Sequence, residues 1–382
     1  MKSNRTHAPS YQAGFTLVEI MVGLTIGMLL TLVIMQVMSV FEAQKRTTTG
    51  TADAQTNGGI ALYSIGRELQ MAGYPLLPST NSPLECTTLT VKGTPDTTIP
   101  NRLSPVAIID GVAATGVSAS DTITIRYGNS PKGGVPTLTT AAPLPSSTLS
   151  PAPARDLAVT SNLGCSANDI MLITNGTTCT MSNVVAVPGT TTVTFADPII
   201  IPANLTNATI AATTVTANAA VVGANLACLG TWNEITFAVS NGNLTRNGVP
   251  IVTGVVNIQA QYGISAAANS NQVTQWVDAS AAAGWNTPTV ANRNRIKAVR
   301  IAIVARNAKM EPAAVTAACS STTAAAPTGL CAWDATSAAP ATASPAPTIN
   351  LSAGDPNWSR YRYRVFETII PLRNVIWSKD TL

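Results

Sequence analysis

From residue 14 to residue 41 the chain reads GFTLVEIMVGLTIGMLLTLVIMQVMSVF, and between Leu17 and Met35 the only ionisable side chain is Glu19. A helix rises 1.5 Å per residue, so roughly 20 to 25 such residues cover about 30 to 38 Å, enough to cross bilayer hydrocarbon. Three readings compete. A secretory signal would have a shorter apolar core followed by a small-x-small cleavage site, and 36–44 offers no convincing one. A plain transmembrane anchor accounts for the length but leaves Glu19 unexplained, because an acid at a helix centre in lipid costs about 2.5 to 3.5 kcal/mol. The third reading retains Glu19 for a partner cation met during assembly.

Gly14 followed by Phe-Thr-Leu-Val-Glu and an apolar helix resembles the class III leader of type IV pilins and pseudopilins. The resemblance implies that a prepilin peptidase cuts between Gly14 and Phe15 and methylates the new amino terminus. Glu19, then the fifth residue, would meet the Phe15 amine of a neighbouring subunit. The bland alternative is a single-pass anchor.

Composition bounds the rest of the chain. In 382 residues there is room for an anchor and one large domain or two small ones. Charged residues make up only 10%, and Thr, Ala, Val, Asn and Pro crowd the sequence, which favours strands and turns over helices. Two of the net +4 charges, Lys2 and Arg5, lie in the leader, so the mature side chains carry 4 − 2 = +2. That balance is too weak to argue for nucleic acid as a partner, which is not expected.

Six cysteines stand at Cys86, Cys165, Cys179, Cys228, Cys319 and Cys331. Beyond a membrane, in an oxidising compartment, an even number suggests up to three disulfides. Closeness in sequence suggests Cys165 with Cys179 and Cys319 with Cys331, which leaves Cys86 for Cys228; buried thiols are the alternative. Against zinc, no C-x-x-C occurs and the sole histidine, His7, lies in the leader. No metal or cofactor is expected.

Beyond Phe41 a polar stretch leads into IALYSIGRELQMAGY at 60–74, where Ile65, Leu69 and Ala72 share a helical face with Ile60 and Leu62 about a turn earlier. One long helix is expected, softened or bent near 47–59 by Gly50, Gly58, Gly59 and the threonines at 47–51, and ended by Pro75 and Pro78.

From about residue 80 the pattern turns to strands. DTITIRY at 121–127 alternates, with Ile123, Ile125 and Tyr127 on one face and Thr122, Thr124 and Arg126 on the other. The proline-rich 129–155 reads as a surface loop. Strands are expected at 169–174, running into an Asn175-Gly176 turn, and at 190–195. Strands at 233–239 and 243–246 are punctuated by Asn241-Gly242 and Asn247-Gly248, the signals of tight hairpins. Long strands are expected at 254–264 and 296–306, and a last one at 360–377. The segment 313–359, rich in Ala, Thr, Pro and Ser, reads as an insertion poor in core formers and held at its base by Cys319 and Cys331.

The MAGY ending after the Arg67–Leu69 triplet, then DTITIRYG, NDIMLI, WNEITFAV, GVVNIQAQYGI and KAVRIAIVAR, are similar in kind and order to segments of PilW-type minor pilins. The resemblance covers half of the chain and leaves the loops at 80–115, 129–160, 197–230 and 307–358 outside it. Gln36 stands where major pilins often carry a helix-kinking proline. The resemblance implies an α+β, pilin-like lollipop: a leader (1–14), a transmembrane and filament-core half-helix (15–41), an amphipathic half (42–74), and a β-rich domain (75–382) with an antiparallel sheet and a low-complexity insertion at about 307–358. It further implies a minor pilin that primes type IV pilus assembly and sits in a tip complex. Its partners would be other minor and major pilins, prepilin peptidase, the inner-membrane assembly platform and a large tip adhesin. The subunit would be held in the inner membrane with its domain in the periplasm, then join the extracellular fibre.

Chemistry of other kinds finds little support. Without a histidine in the mature chain, Ser-His and Cys-His nucleophiles are excluded, and the carboxylates are scattered. No phosphate-binding glycine motif occurs. Arg360, Arg362 and Arg364 share one face of the last strand, with Arg293, Arg295, Lys297 and Arg300 earlier in the chain. They could receive DNA or an acidic pilin, or be the solvent side of a sheet whose other face is apolar. Two alternatives to a pilus subunit stay open: a minor pseudopilin of a type II secretion system, and an anchored adhesin that never polymerises.

Overall fold

The computed structural model describes residues 14–76, 86–91, 94–95, 103–111, 120–141, 144–145, 155–174, 178–195, 223–324, 326–333, 344 and 346–376. The leader up to residue 13, Pro78, the Asn175-Gly176 turn and Trp377 lie outside the described residues. The chain divides into two units, Met1–Ala52 and Asp53–Leu382.

Helix α1 (Leu17–Met71) is continuous through 47–59, so the expected soft section brings no break. There Thr48 Oγ1 donates back to the Gln44 carbonyl at 2.9 Å, which occupies a hydroxyl that would otherwise compete for the ladder. In the first unit every residue from 14 to 42 is exposed. In the second unit Ala54, Ala61, Ile65, Leu69 and Ala72 are buried, at spacings of three, four or seven that keep them on one face. The helix stops at Met71, ahead of Pro75, because Gly73 takes φ +78° and turns the chain.

The strands beyond it are β1 (Thr88–Val91), β2 (Thr94–Pro95), β3 (Val106–Ile109), β4 (Thr122–Tyr127), β5 (Thr137–Leu138) and β6 (Leu144–Pro145). Next come β7 (Arg155–Ala158), β8 (Ile170–Thr174), β9 (Thr178–Ala186), β10 (Thr192–Phe195), β11 (Asn225–Cys228) and β12 (Asn233–Ser240). The chain continues with β13 (Asn243–Arg246), β14 (Val249–Thr253), β15 (Val255–Ser265), β16 (Val273–Asp278), a short helix α2 (Val290–Arg293), β17 (Ile296–Met310), β18 (Tyr361–Pro371) and α3 (Arg373–Ile376).

These strands form three sheets. One runs β5-β11-β8-β9-β10-β7-β6, with β1 parallel to β9 and β2 beyond it. The second runs β14-β13-β12-β4-β3, and the third β16-β15-β17-β18; both are antiparallel. The two Asn-Gly turns behave as the sequence predicts: Asn241 and Asn247 have φ of 50° and 51°, followed by glycines at 71° and 79°, the double positive φ that matches hairpin twist.

β4 and β12 are direct neighbours, Tyr127 opposite Asn233, although more than a hundred residues separate them. The first sheet is built largely from that intervening stretch and has its own core of Leu157, Met171, Ile173, Val193, Phe195 and Leu226. The main core lies where the buried face of α1 meets the second and third sheets: Ile65 and Leu69 with Ile123, Ile125, Phe237, Ile258, Tyr262, Ile301 and Ile303.

Three expectations need correction. Within 129–155 the proline-rich stretch supplies β5 and β6, and Thr139 is buried, its Oγ1 bonded to the Ala224 carbonyl at 3.2 Å. The last strand ends at Pro371, short of residue 377, and the chain turns into α3. The insertion is not poor in core formers: Leu330, Ala332, Ile349 and Leu351 are buried against Ala302 and Val304 on the third sheet, with Trp333 and Trp358 packed beside them.

Candidate assembly site

At the start of the helix the geometry comes from four residues. Thr16 N–H donates to Glu19 Oε2 at 2.9 Å, Thr16 Oγ1 reaches the same oxygen at 3.0 Å, and Glu19 N–H donates to Thr16 Oγ1 at 3.3 Å. This reciprocal pair is a capping box, satisfying backbone donors that the first helical turn leaves without partners. It also sets a carboxylate at the positive end of the helix dipole. The T-x-x-E spacing at 16–19 carries this signal in the sequence, and the sequence reading did not use it. Gly14 has no neighbour within 4 Å of where a side chain would begin, and Phe15 is 85% exposed. Gly14 and Phe15 therefore stand clear of the other described residues.

The rest of the apolar run hides its own polar groups. Thr25, Thr31 and Ser39 hydroxyls donate to the carbonyls of Val22, Met28 and Gln36 at 2.9, 2.8 and 3.1 Å. Satisfied in this way, they lower the cost of placing the helix in apolar surroundings. Leu17–Glu42 is long and apolar enough to cross a membrane.

In the second unit the helix is fastened at three levels. Gly58 is buried against the Phe366 ring, so closely that a side chain there would collide with it. Further along the contact face, buried Glu68 accepts from Tyr127 Oη at 2.5 Å and pairs with Arg246 at 3.1 Å. Desolvation pushes the Tyr127 hydroxyl up to about 12, and its bond to the Glu68 carboxylate adds to the shift. At the end, the Asn374 side-chain amide donates to the carbonyls of Gln70, Met71 and Ala72 at 3.3, 3.3 and 3.1 Å. It thereby satisfies acceptors that the helix leaves unpaired.

A second polar seam ties β4 to β15. Asp121, buried, accepts from Gly111 N–H at 2.9 Å and Ala260 N–H at 2.7 Å, while its own N–H donates to the Ile258 carbonyl at 2.8 Å. Desolvation pushes its carboxyl up to about 7; the two amides oppose that, and Asp110 and Asp278 reinforce it. On the third sheet Arg300 is buried between the rings of Trp276 and Trp333, 5.0 and 4.4 Å from their centroids, and donates to Gln261 Oε1. Burial lowers its pKa, and the carboxylates of Asp278 and Glu367 oppose the shift.

The basic residues proposed as one group are divided by the structure. Arg293, Lys297 and Arg300 are buried, Arg293 donating to the Cys86 carbonyl at 2.7 Å and Lys297 to that of Ala268 at 3.1 Å. Arg295 bonds to the Ser265 carbonyl at 2.9 Å. Charge in a β-rich sequence does not by itself report the surface, since bonds to carbonyls can hold these groups inside. Arg362 and Arg364 remain exposed, with Arg362 paired to Glu311 at 3.0 Å.

All six cysteines are paired, but not as sequence proximity suggests. The bonds are Cys86–Cys179, Cys165–Cys228 and Cys319–Cys331. β1 lies beside β9 and brings Cys86 to Cys179, while Cys165, just before β8, meets Cys228 on the neighbouring β11. Only the third pair matches the expectation. Among the described residues no group of three or more His, Cys, Asp or Glu is placed to hold a metal.

Comparison with known proteins gives two family matches. Residues 9–35 match the prokaryotic N-terminal methylation motif, and residues 225–374 match type IV pilus-assembly protein W, from β11 to α3. No curated protein and no solved structure matches the chain. The first match spans Gly14, Phe15 and Glu19, and the second spans the strands that hold Glu68 through Arg246 and cap the helix through Asn374. A prepilin leader ahead of a PilW-type domain is the arrangement of a type IV minor pilin, and the two matches support that reading over the stretches they cover.

Proposed function

We propose that the chain is cut between Gly14 and Phe15, methylated on Phe15, and carried by its apolar half-helix from the inner membrane into a tip-associated complex that primes the pilus. The observation that carries this reading is the capping box at Thr16–Glu19, set at the head of a bare apolar helix and directly behind the exposed Gly14 and Phe15. Inside the isolated subunit Glu19 is occupied by Thr16. Cleavage releases a cationic amine at Phe15, and in a bundle of such helices a neighbour's amine offers Glu19 a charged partner in place of a hydroxyl. That bond joins two opposite charges, so in apolar surroundings it adds their Coulomb attraction to the hydrogen bond that a neutral hydroxyl makes, which favours the exchange. Other minor and major pilins, the peptidase, the assembly platform and a large tip adhesin are the partners this reading requires, with the domain in the periplasm until assembly.

The match to a pilus-assembly family favours the pilus over a type II secretion system. The test is complementation of a strain lacking this chain. Wild type should restore surface pili, whereas Glu19→Ala should be cut normally, stay in the membrane and leave pili few. Full piliation with Glu19→Ala would contradict the proposed role.

A further inference from the structure

Among the described residues β18 is the longest strand that ends a sheet, and beyond Tyr361 its outer side pairs with no other strand. The opposite edge of the same sheet is closed where Trp276 N–H on β16 donates to Ser344 Oγ at 3.0 Å. β14 is shorter and interrupted by Pro250, and β3 has four residues.

The orientation of each β18 amide can be read from its neighbours. Leu372 N–H donates to the Lys297 carbonyl and Glu311 N–H to the Arg360 carbonyl, so even-numbered residues bond toward β17. Val315 and Thr316 N–H reach the Ser359 carbonyl, and Thr316 Oγ1 reaches that of Tyr361, so odd-numbered residues point outward. In an antiparallel ladder this alternation continues along the strand. Tyr363, Val365, Glu367 and Ile369 therefore present N–H and C=O groups to the outside over roughly 20 Å. An uncovered edge of this length is a template for another strand unless it is blunted, and the blunting proline, Pro371, stands only at its end.

The side chains along this edge define what fits. Arg362 and Arg364 are exposed on the face that also carries Phe366, and Arg364 has no acidic partner among the described residues. On the opposite face Ile369 is 59% exposed. Charge complementarity selects an added strand with acidic side chains on one face and apolar side chains on the other.

We propose that β18 receives such an amphipathic acidic strand from a neighbouring pilus subunit, through backbone bonds at Tyr363–Ile369 and an ion pair to Arg364. This rests on the chain's being an assembled subunit. Backbone addition supplies affinity and the alternating side chains supply specificity.

The test uses the affinity-tagged full chain in piliated cells, with two variants. Ile369→Pro deletes one outward N–H and leaves every bond to β17 in place; Arg364→Glu reverses the edge charge. Both should be cut at Gly14–Phe15 and melt as wild type does, yet lose the pilus subunit that co-purifies with wild type. Loss in both supports strand addition. Should Ile369→Pro prove unstable, Arg364→Glu decides alone: retained co-purification overturns the proposal, loss supports it. A folded Ile369→Pro that keeps its partner overturns it even where Arg364→Glu does not. An uncut wild-type chain would instead overturn the subunit reading on which the edge depends.

Discussion

Asp121 shows how one buried acid couples stability to pH. Its carboxyl sits in the fold at about 7 rather than near its ordinary value, mainly because burial disfavours the charge. Between pH 4 and 7, approximately, the folded chain holds a proton that the unfolded chain releases, so stability falls as pH rises through that window. Asp110 and Asp278 are also raised, primarily by burial, and act with the same sign. The thermal midpoint of the full chain should therefore decline as pH rises between these limits. Asp121→Asn should lower the midpoint throughout, because an amide nitrogen would face one of the N–H donors, and should flatten its pH dependence; an unchanged slope would contradict the account. None of this was legible in the alternation of DTITIRY, which placed Ile123 and Ile125 correctly but assigned no burial to the acid before them. Glu19 was legible as an anomaly because apolar residues surround it. Its bond to Thr16 was equally available from the T-x-x-E spacing.

Among the elements, α1 was the most legible, since a 55-residue helix with an apolar first half leaves few alternatives. The hairpins at 233–253 were legible for a different reason: Asn-Gly enforces a local geometry that needs no distant partner. β9, with its run of Thr, Ser and Asn, and the short β7 and β11 were missed, because their strand state comes from neighbours in the sheet rather than from their own pattern. The interface of α1 with β18 makes a paired prediction. Gly58→Ala gains about 1 kcal/mol of helix propensity. It also drives a methyl into the Phe366 ring, and overpacking of this kind costs about 1 to 3 kcal/mol. The net change should be destabilising. Gly59→Ala meets nothing within 4 Å and should stabilise by up to about 1 kcal/mol. Chemical denaturation of the two variants distinguishes the cases, and equal effects would contradict this packing.

At the scale of the molecule, three disulfides staple a chain whose core is divided among several clusters. Their sequence separations are 93, 63 and 12, so chain entropy predicts a loss of about 4 to 5 kcal/mol for either long-range bond and about 3 for Cys319–Cys331. Non-reducing peptide mapping should join Cys86 to Cys179 and Cys165 to Cys228; a Cys165–Cys179 peptide would contradict the topology of the first sheet. That connectivity was beyond the sequence because it depends on which strands become neighbours. The resemblance to the PilW family was more legible, carried at one end by a short motif and at the other by the order of strands that the PilW match spans.

The central claim is that this chain enters the membrane as a pilin and is matured there. Its most direct test is the amino-terminal residue of the membrane-extracted protein, read by mass spectrometry with and without active prepilin peptidase. The account predicts a methylated Phe15 only when the peptidase is active. An intact Met1 in both, or cleavage beyond Val40, would contradict it.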